Sequence, residues 1–285
     1  MIHEEATGPV PVFPEPPKGF RWVERRGVFS LAGEAMGDFP FVDHAFCSRW
    51  RGASEGPFSG LNLSTREGDA EESVRKNGEI LSAAFDLPVK RFATVRQVHG
   101  NRIIHLESTE EGSRLLEADG IITTCEGLAV GIKTADCVPI LLLDPRAPAV
   151  GAVHAGWRGT AAGIAREAVE AMKKAFSSDP SEMIALIGPA IGPCCYEVDE
   201  PVRLAMTGEK GMAKFLRPLP GRAGGWMMDL AGANAAQLAD AGLRDNQVHG
   251  AGLCTACHRT VFFSHRGGRG TTGRQINFIL IRPTA

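Results

Sequence analysis

The chain has 285 residues, 44% of them hydrophobic, enough to bury a large core as one domain or two intimately joined halves. Its 31 basic and 33 acidic residues leave a formal net charge of −2. That balance excludes the electrostatic footprint of a nucleic-acid or anionic-membrane binder and favours a small-molecule substrate.

Residues 1–20 are rich in proline and acid and carry no basic segment followed by an apolar one, so no secretory signal is expected and a cytoplasmic location is. No window approaches the roughly 18 apolar residues of a membrane-spanning helix. Seven cysteines then read as thiols rather than a disulfide framework. A monomer or weak homo-oligomer is expected.

Residues 1–35, with five prolines between Pro9 and Pro17, read as an extended N-terminal arm, and 36–285 as a single catalytic domain. Strands are expected over 41–47 and 58–63, separated by a glycine-rich loop that carries Arg49. A helix over 69–85 follows, with Asp69 as its cap. Closely spaced strands come next, over 92–98, 102–106, 120–123, 128–132, 138–143 and 150–153. Helices over 160–176 and 229–241 and strands over 183–187 and 275–281 complete the pattern. Strands and helices mix without strict alternation, which predicts an α/β (α+β) sandwich of mixed sheets with flanking helices rather than a doubly wound fold.

The stretch Ala135–Gly159 reads as a hairpin with a proline-containing turn. Centred in the Asp144–Pro148 turn, it sets Cys137 opposite His154, both at strand ends where side chains reach a cleft. His99 lies at another strand-end turn, Gln97-Val98-His99-Gly100. Two imidazoles and one thiolate suit zinc with a coordination position left open, and the same trio with a weak axial ligand suits copper. A metal-free Cys–His nucleophile pair, as in thiol hydrolases, is an equally open reading.

Cys254-Thr255-Ala256-Cys257-His258 matches the pattern of covalent haem attachment, but that loading follows export, for which no signal is visible. A second zinc site using His265 lacks an evident second pair of ligands, so buried thiols in a turn are the expectation there. Arg49, Arg158 and Arg266 sit in glycine-rich turns, where guanidinium forks suit phosphate or carboxylate.

Taken together, His44-Ala45-Phe46, Gly60-Leu61-Asn62-Leu63, Gln97-Val98-His99-Gly100, Ala118-Asp119-Gly120, Thr134-Ala135-Asp136-Cys137-Val138-Pro139, Val153-His154-Ala155-Gly156-Trp157-Arg158-Gly159, Cys195-Tyr196-Glu197-Val198 and Phe263-Ser264 resemble one family. Its members are labelled multicopper polyphenol oxidases or laccase-domain proteins, are also read as purine nucleoside phosphorylases, and include proteins labelled peptidoglycan editing factors. The resemblance implies zinc ligands at His99, Cys137 and His154, and a fold similar to the catalytic domain of cytotoxic necrotizing factor. It implies phosphorolysis of adenosine, inosine, guanosine and methylthioadenosine, with some adenosine deamination. Purine nucleosides and phosphate are then the expected partners. Arg49, Arg158 and Arg266 become candidate phosphate clamps, and Asn62 a candidate substrate-binding residue. A multicopper oxidase would need a trinuclear, mostly histidine-ligated centre, and eight histidines with no His-x-His pair argue against it.

Overall fold

The computed structural model describes residues 11–110, 116–208 and 211–283. In chain order its strands are β1 (Phe20–Arg25), β2 (Val28–Gly33), β3 (Val42–Cys47), β4 (Phe92–Thr94), β5 (Ile103–Leu106), β6 (Gly120–Thr123), β7 (Ala129–Thr134), β8 (Val138–Asp144), β9 (Ala149–Ala155), β10 (Ile184–Ile187), β11 (Glu197–Val198), β12 (Leu216–Pro218), β13 (Trp226–Met228), β14 (Val248–Gly250) and β15 (Gln275–Ile281). The helices are α1 (Glu34–Gly37), α2 (Glu71–Phe85), α3 (Trp157–Ala161), α4 (Ile164–Phe176), α5 (Glu200–Gly208) and α6 (Leu230–Asp240).

Two six-stranded sheets carry the structure, ordered β1-β2-β3-β15-β7-β4 and β14-β10-β8-β9-β6-β5, with a small sheet β11-β13-β12 beside them. The large sheets face each other across one core, to which the first gives Leu31, Phe46, Val130, Ile132 and Ile279 and the second Ile121, Leu141, Leu143, Val150 and Ala152. The outer face of the second sheet, through Ile140, Leu142 and Val153, packs on α4 and α6. Leu81 and Phe85 of α2 cover Ala45, Ile276 and Phe278 on the outer face of the first. A strand buried on both faces must be apolar at every position, which is why β8 reads as an unbroken Val-Pro-Ile-Leu-Leu-Leu run. The architecture is the mixed-sheet α+β sandwich with flanking helices that the sequence pattern predicts.

Several local expectations change. Part of the residues 1–35 arm is a hairpin: β1 and β2 turn at Arg26 and Gly27, both with positive φ, as a tight two-residue hairpin requires. Residues 58–63 form no strand; the chain doubles back at Gly60, whose missing side chain makes room for the Arg49 carbonyl. Helix α2 starts after Ala70, because the Asp69 carboxylate is held by Ser54 and Asn62 instead of capping. The single helix expected over 160–176 is broken at Gly163, which sits at φ +78°.

The β8–β9 hairpin is displaced by two residues from the expected register: His154 pairs with Pro139, not with Cys137. The centre of the turn lies one residue further along the chain, between Arg146 and Ala147. Side chains alternate with period 2, so Cys137 and His154 still share the face that looks toward the other sheet. The residue left facing Cys137 is Gly156, beyond the end of β9.

Candidate metal centre and active site

At one end of the inter-sheet core the ligand atoms of His99, Cys137 and His154 all lie within 4.8 Å of one another. His99 Nε2 stands 4.0 Å from Cys137 Sγ, and the two imidazole rings meet edge to face with centroids 4.8 Å apart. His154 is buried, Cys137 half-buried and His99 exposed, so the cluster is open on one side. Gly156 leaves the space: a Cβ there would lie 2.9 Å from His99 Cδ2 and 3.2 Å from Cys137 Sγ. Two nitrogens and a sulfur this close together suit a thiophilic divalent ion.

Two backbone conformations aim these side chains. His99 adopts φ +60° and Asp136, just before Cys137, φ +94°. Such angles persist in non-glycine residues only where the surroundings impose them. For His99 the constraint is the carboxylate of Asp119, which accepts the backbone N–H groups of Val98, His99 and Gly100 at 3.2, 2.9 and 2.7 Å. For Asp136 it is its own carboxylate, which accepts the Thr255 hydroxyl and the Arg266 N–H, each at 2.6 Å.

Asp119 also stands 2.8 Å from Nδ1 of His154, fixing the ring so that Nε2 is left for another partner. Burial raises the Asp119 carboxyl, but His154 and the Gly100 and His99 N–H groups outweigh it and hold the group below its usual range. Burial also opposes charge on His154 and Cys137. Even so, the Cys137 sulfur and Asp119 bring His154 up to about 9, and the two histidines bring Cys137 down to about 6. The sulfur is therefore poised as a thiolate, the form that binds metal or attacks carbon.

The cluster forms the floor of a cavity of about 820 Å³, a size suited to a nucleoside and an anion. Of the sequence-predicted residues, the cavity wall includes Arg158, lying over the Trp157 ring at 4.1 Å, and Arg266. Arg266 donates to the Glu197 carbonyl at 2.8 Å and, at 3.5 Å, to that of Cys195. Arg66 and Lys133 also line the cavity, as does Arg274 from the arginine-rich glycine stretch that begins at His265, paired at 3.2 Å with Glu67 of the same wall.

The structure places two predicted residues elsewhere. Arg49 lies over the Phe263 ring and donates to the carbonyls of Ser59 and Arg259. Asn62 is fully buried and ties Ser64, Asp69 and Arg274 together. Both hold loops behind the cavity rather than lining it. A second concavity, of about 630 Å³, lies beside Arg25, Asp43 and Arg282, whose charges are paired with one another.

Residues 43–282 match the family model described as multi-copper polyphenol oxidoreductase laccase. The chain belongs to this family. Over 242 residues it is 38% identical to the purine nucleoside phosphorylase YlmD of Geobacillus stearothermophilus, covering 80% of this chain and 86% of that one. It is 34% identical to the purine nucleoside phosphorylase YfiH of Escherichia coli, over 82% of this chain and 93% of that one. The crystal structure of YlmD from G. stearothermophilus superposes with a TM-score of 0.85, covering 94% of this chain and 100% of the other at 34% identity. Family members thus include enzymes named for purine nucleoside phosphorolysis, and no helix among the described residues is long and apolar enough to cross a membrane.

Proposed function

We propose that this chain is a purine nucleoside phosphorylase acting on adenosine, inosine, guanosine and methylthioadenosine, with zinc held by His99, Cys137 and His154. The observation that carries the reading is the union of that ligand trio with a wall bearing Arg158 and Arg266 in one 820 Å³ cavity. In phosphorolysis a phosphate oxygen bonds to the anomeric carbon, the N-glycosidic bond breaks, and its electron pair leaves with the purine, which takes up a proton. Arg158 and Arg266 orient the phosphate and offset its charge, with Arg66 and Arg274 beside them. Trp157 and Tyr196 give the base apolar surface. Asp119 keeps His154 in one tautomer, so Nε2 and the Cys137 sulfur present fixed lone pairs to the cavity floor. Zinc, when bound, would supply positive charge at that floor; copper would fit the donor set less well because, among the described residues, no second sulfur donor is part of the cluster.

The open side of the trio favours adenosine deamination as a companion activity, in which water adds to C6 of the purine ring, ammonia leaves and the N-glycosidic bond stays intact. Thiol hydrolysis is the competing reading, resting on Cys137 brought down to about 6 beside His154. The test is purine release from adenosine by the metal-loaded protein, with and without phosphate, beside a Cys137→Ala variant of unchanged circular dichroism. Phosphate-dependent adenine release that is lost in the variant supports the phosphorylase. Inosine formed without phosphate supports deamination alone. Absence of turnover overturns both.

A further inference from the structure

A second group of thiols meets at the far side of the cavity wall. Strands β10 and β14 run parallel and adjacent, so the segments that follow them leave the sheet at the same end. These segments continue to pair: Ala190 N–H donates to Leu253 and Thr255 N–H donates to Ala190, a parallel bridge between Ala190 and Cys254. The first segment then brings in Cys194 and Cys195, and the second Cys254 and Cys257. All four sulfurs lie within 4.8 Å of one another, with Cys194 to Cys257 at 3.6 Å and Cys195 to Cys257 at 3.4 Å.

Those separations decide between two kinds of link. A disulfide needs its sulfurs about 2.05 Å apart. Four thiolates around a tetrahedral zinc, each about 2.3 Å from the ion, lie about 3.8 Å from one another. The observed spacing belongs to the second arrangement. Two further features fit a ligating sulfur. Gly192 N–H donates to Cys254 Sγ at 3.2 Å, and a Cβ on Gly192 would lie 3.3 Å from Cys194 Sγ, so the loop is bare where it wraps the cluster. The Cys254-x-x-Cys257 pair therefore finds its partner pair some sixty residues earlier in the chain, at Cys194-Cys195. His265, the partner the sequence suggested, lines the catalytic cavity instead.

We infer that Cys194, Cys195, Cys254 and Cys257 bind one zinc ion as a tetrathiolate clip, separate from the His99, Cys137 and His154 trio. Each thiol releases its proton to solvent on binding, and no electron is transferred. The clip ties down both loops of the cavity wall. One carries Ile191 and Tyr196 into the cavity. The other carries Thr255, whose hydroxyl restrains Asp136 next to Cys137.

The experiment uses the full chain, purified under reducing conditions with zinc, and counts metal by plasma mass spectrometry in Cys137→Ala and in Cys254→Ser/Cys257→Ser. The Cys137→Ala protein should keep about one zinc per chain. After exchange with cobalt it should show the strong sulfur-to-metal charge-transfer and visible bands of an all-thiolate tetrahedral site. The double variant should lose that ion. If it fails to fold, the cobalt spectrum of Cys137→Ala decides alone. Cys137→Ala protein that binds neither metal tightly, or a non-reduced chain whose mass is lower by the hydrogens of a disulfide among these four cysteines, overturns the clip.

Discussion

Asp119 grips two parts of the site at once: one oxygen lies 2.8 Å from His154 Nδ1, and the same carboxylate closes the backbone of residues 98–100 that presents His99. Two of the three residues in the trio thus depend on one buried group that does not itself join the cluster. Asp119→Asn keeps the shape but loses the charge and part of the acceptor capacity. Zinc affinity should fall about 10- to 100-fold, and stability by about 1–3 kcal/mol. Competition with a chromophoric chelator reads the first and urea unfolding of the metal-free protein the second. Unchanged affinity would show that the histidines orient themselves.

Gly156 makes the opposite test, addition rather than loss. Its φ of −76° suits alanine, so Gly156→Ala adds no backbone strain, only a methyl 2.9 Å from the His99 ring. The ring must move. Metal loading should weaken about tenfold or more while the melting temperature of the metal-free protein changes little. Adenosine phosphorolysis should fall in step with the loading.

The arginines divide by position. Arg158→Ala should raise the KM for phosphate about 10- to 100-fold, the worth of a lost charged hydrogen bond, with stability unchanged. Arg49 instead ties Ser59 to Arg259 across the chain. Arg49→Ala should lower the melting temperature and leave the KM for phosphate near wild type. Initial rates over a phosphate series, read beside thermal melts, separate the two; equal effects from both variants would contradict this division.

His44 should couple stability to pH. Burial brings its pKa down to about 4, against the pull of Asp43, and the Gly33 N–H donated to Nε2 at 2.9 Å requires an unprotonated nitrogen. In the unfolded chain the ring titrates near 6.5, so between these values the unfolded state binds the extra proton. Its contribution is full above pH 6.5 and is lost as pH falls toward 4, about 3 kcal/mol in all. Urea unfolding of wild type and His44→Gln from pH 7 to pH 4 isolates it. The wild type should lose its advantage on acidification, and parallel curves would remove His44 as the cause.

The sandwich and the meeting of His99, Cys137 and His154 were legible because both rest on local pattern: doubly buried strands are continuously apolar, and strand-end histidine and cysteine stand out against them. Hairpin register was less legible, since moving the centre of the turn by one residue leaves the same hydrophobic alternation and changes only which residues pair across the strands. Asp119 appears in a recognisable Ala-Asp-Gly piece, yet its task depends on three N–H groups some twenty residues earlier, which no spacing rule reveals. Arg49 and Asn62 read as polar residues available for ligand because a sequence does not show which carbonyls or carboxylates a folded loop turns toward them. Arg66 and Lys133 reach the cavity from separate stretches of chain and become neighbours only in the folded structure.

His99 lies on the crossing from β4 of one large sheet to β5 of the other, and Cys137 on the crossing from β7 of the first to β8 of the second. The separation between His99 and Cys137 is consequently a gauge of how the sheets are seated, and any sliding along their shared seam is felt at the chemistry. Substitutions remote from the cavity, such as one that hollows the seam at Leu141, would reach turnover through that displacement without touching a ligand. The interior of the sandwich is in this sense the mounting of an instrument, and its rigidity sets how finely the centre is aligned.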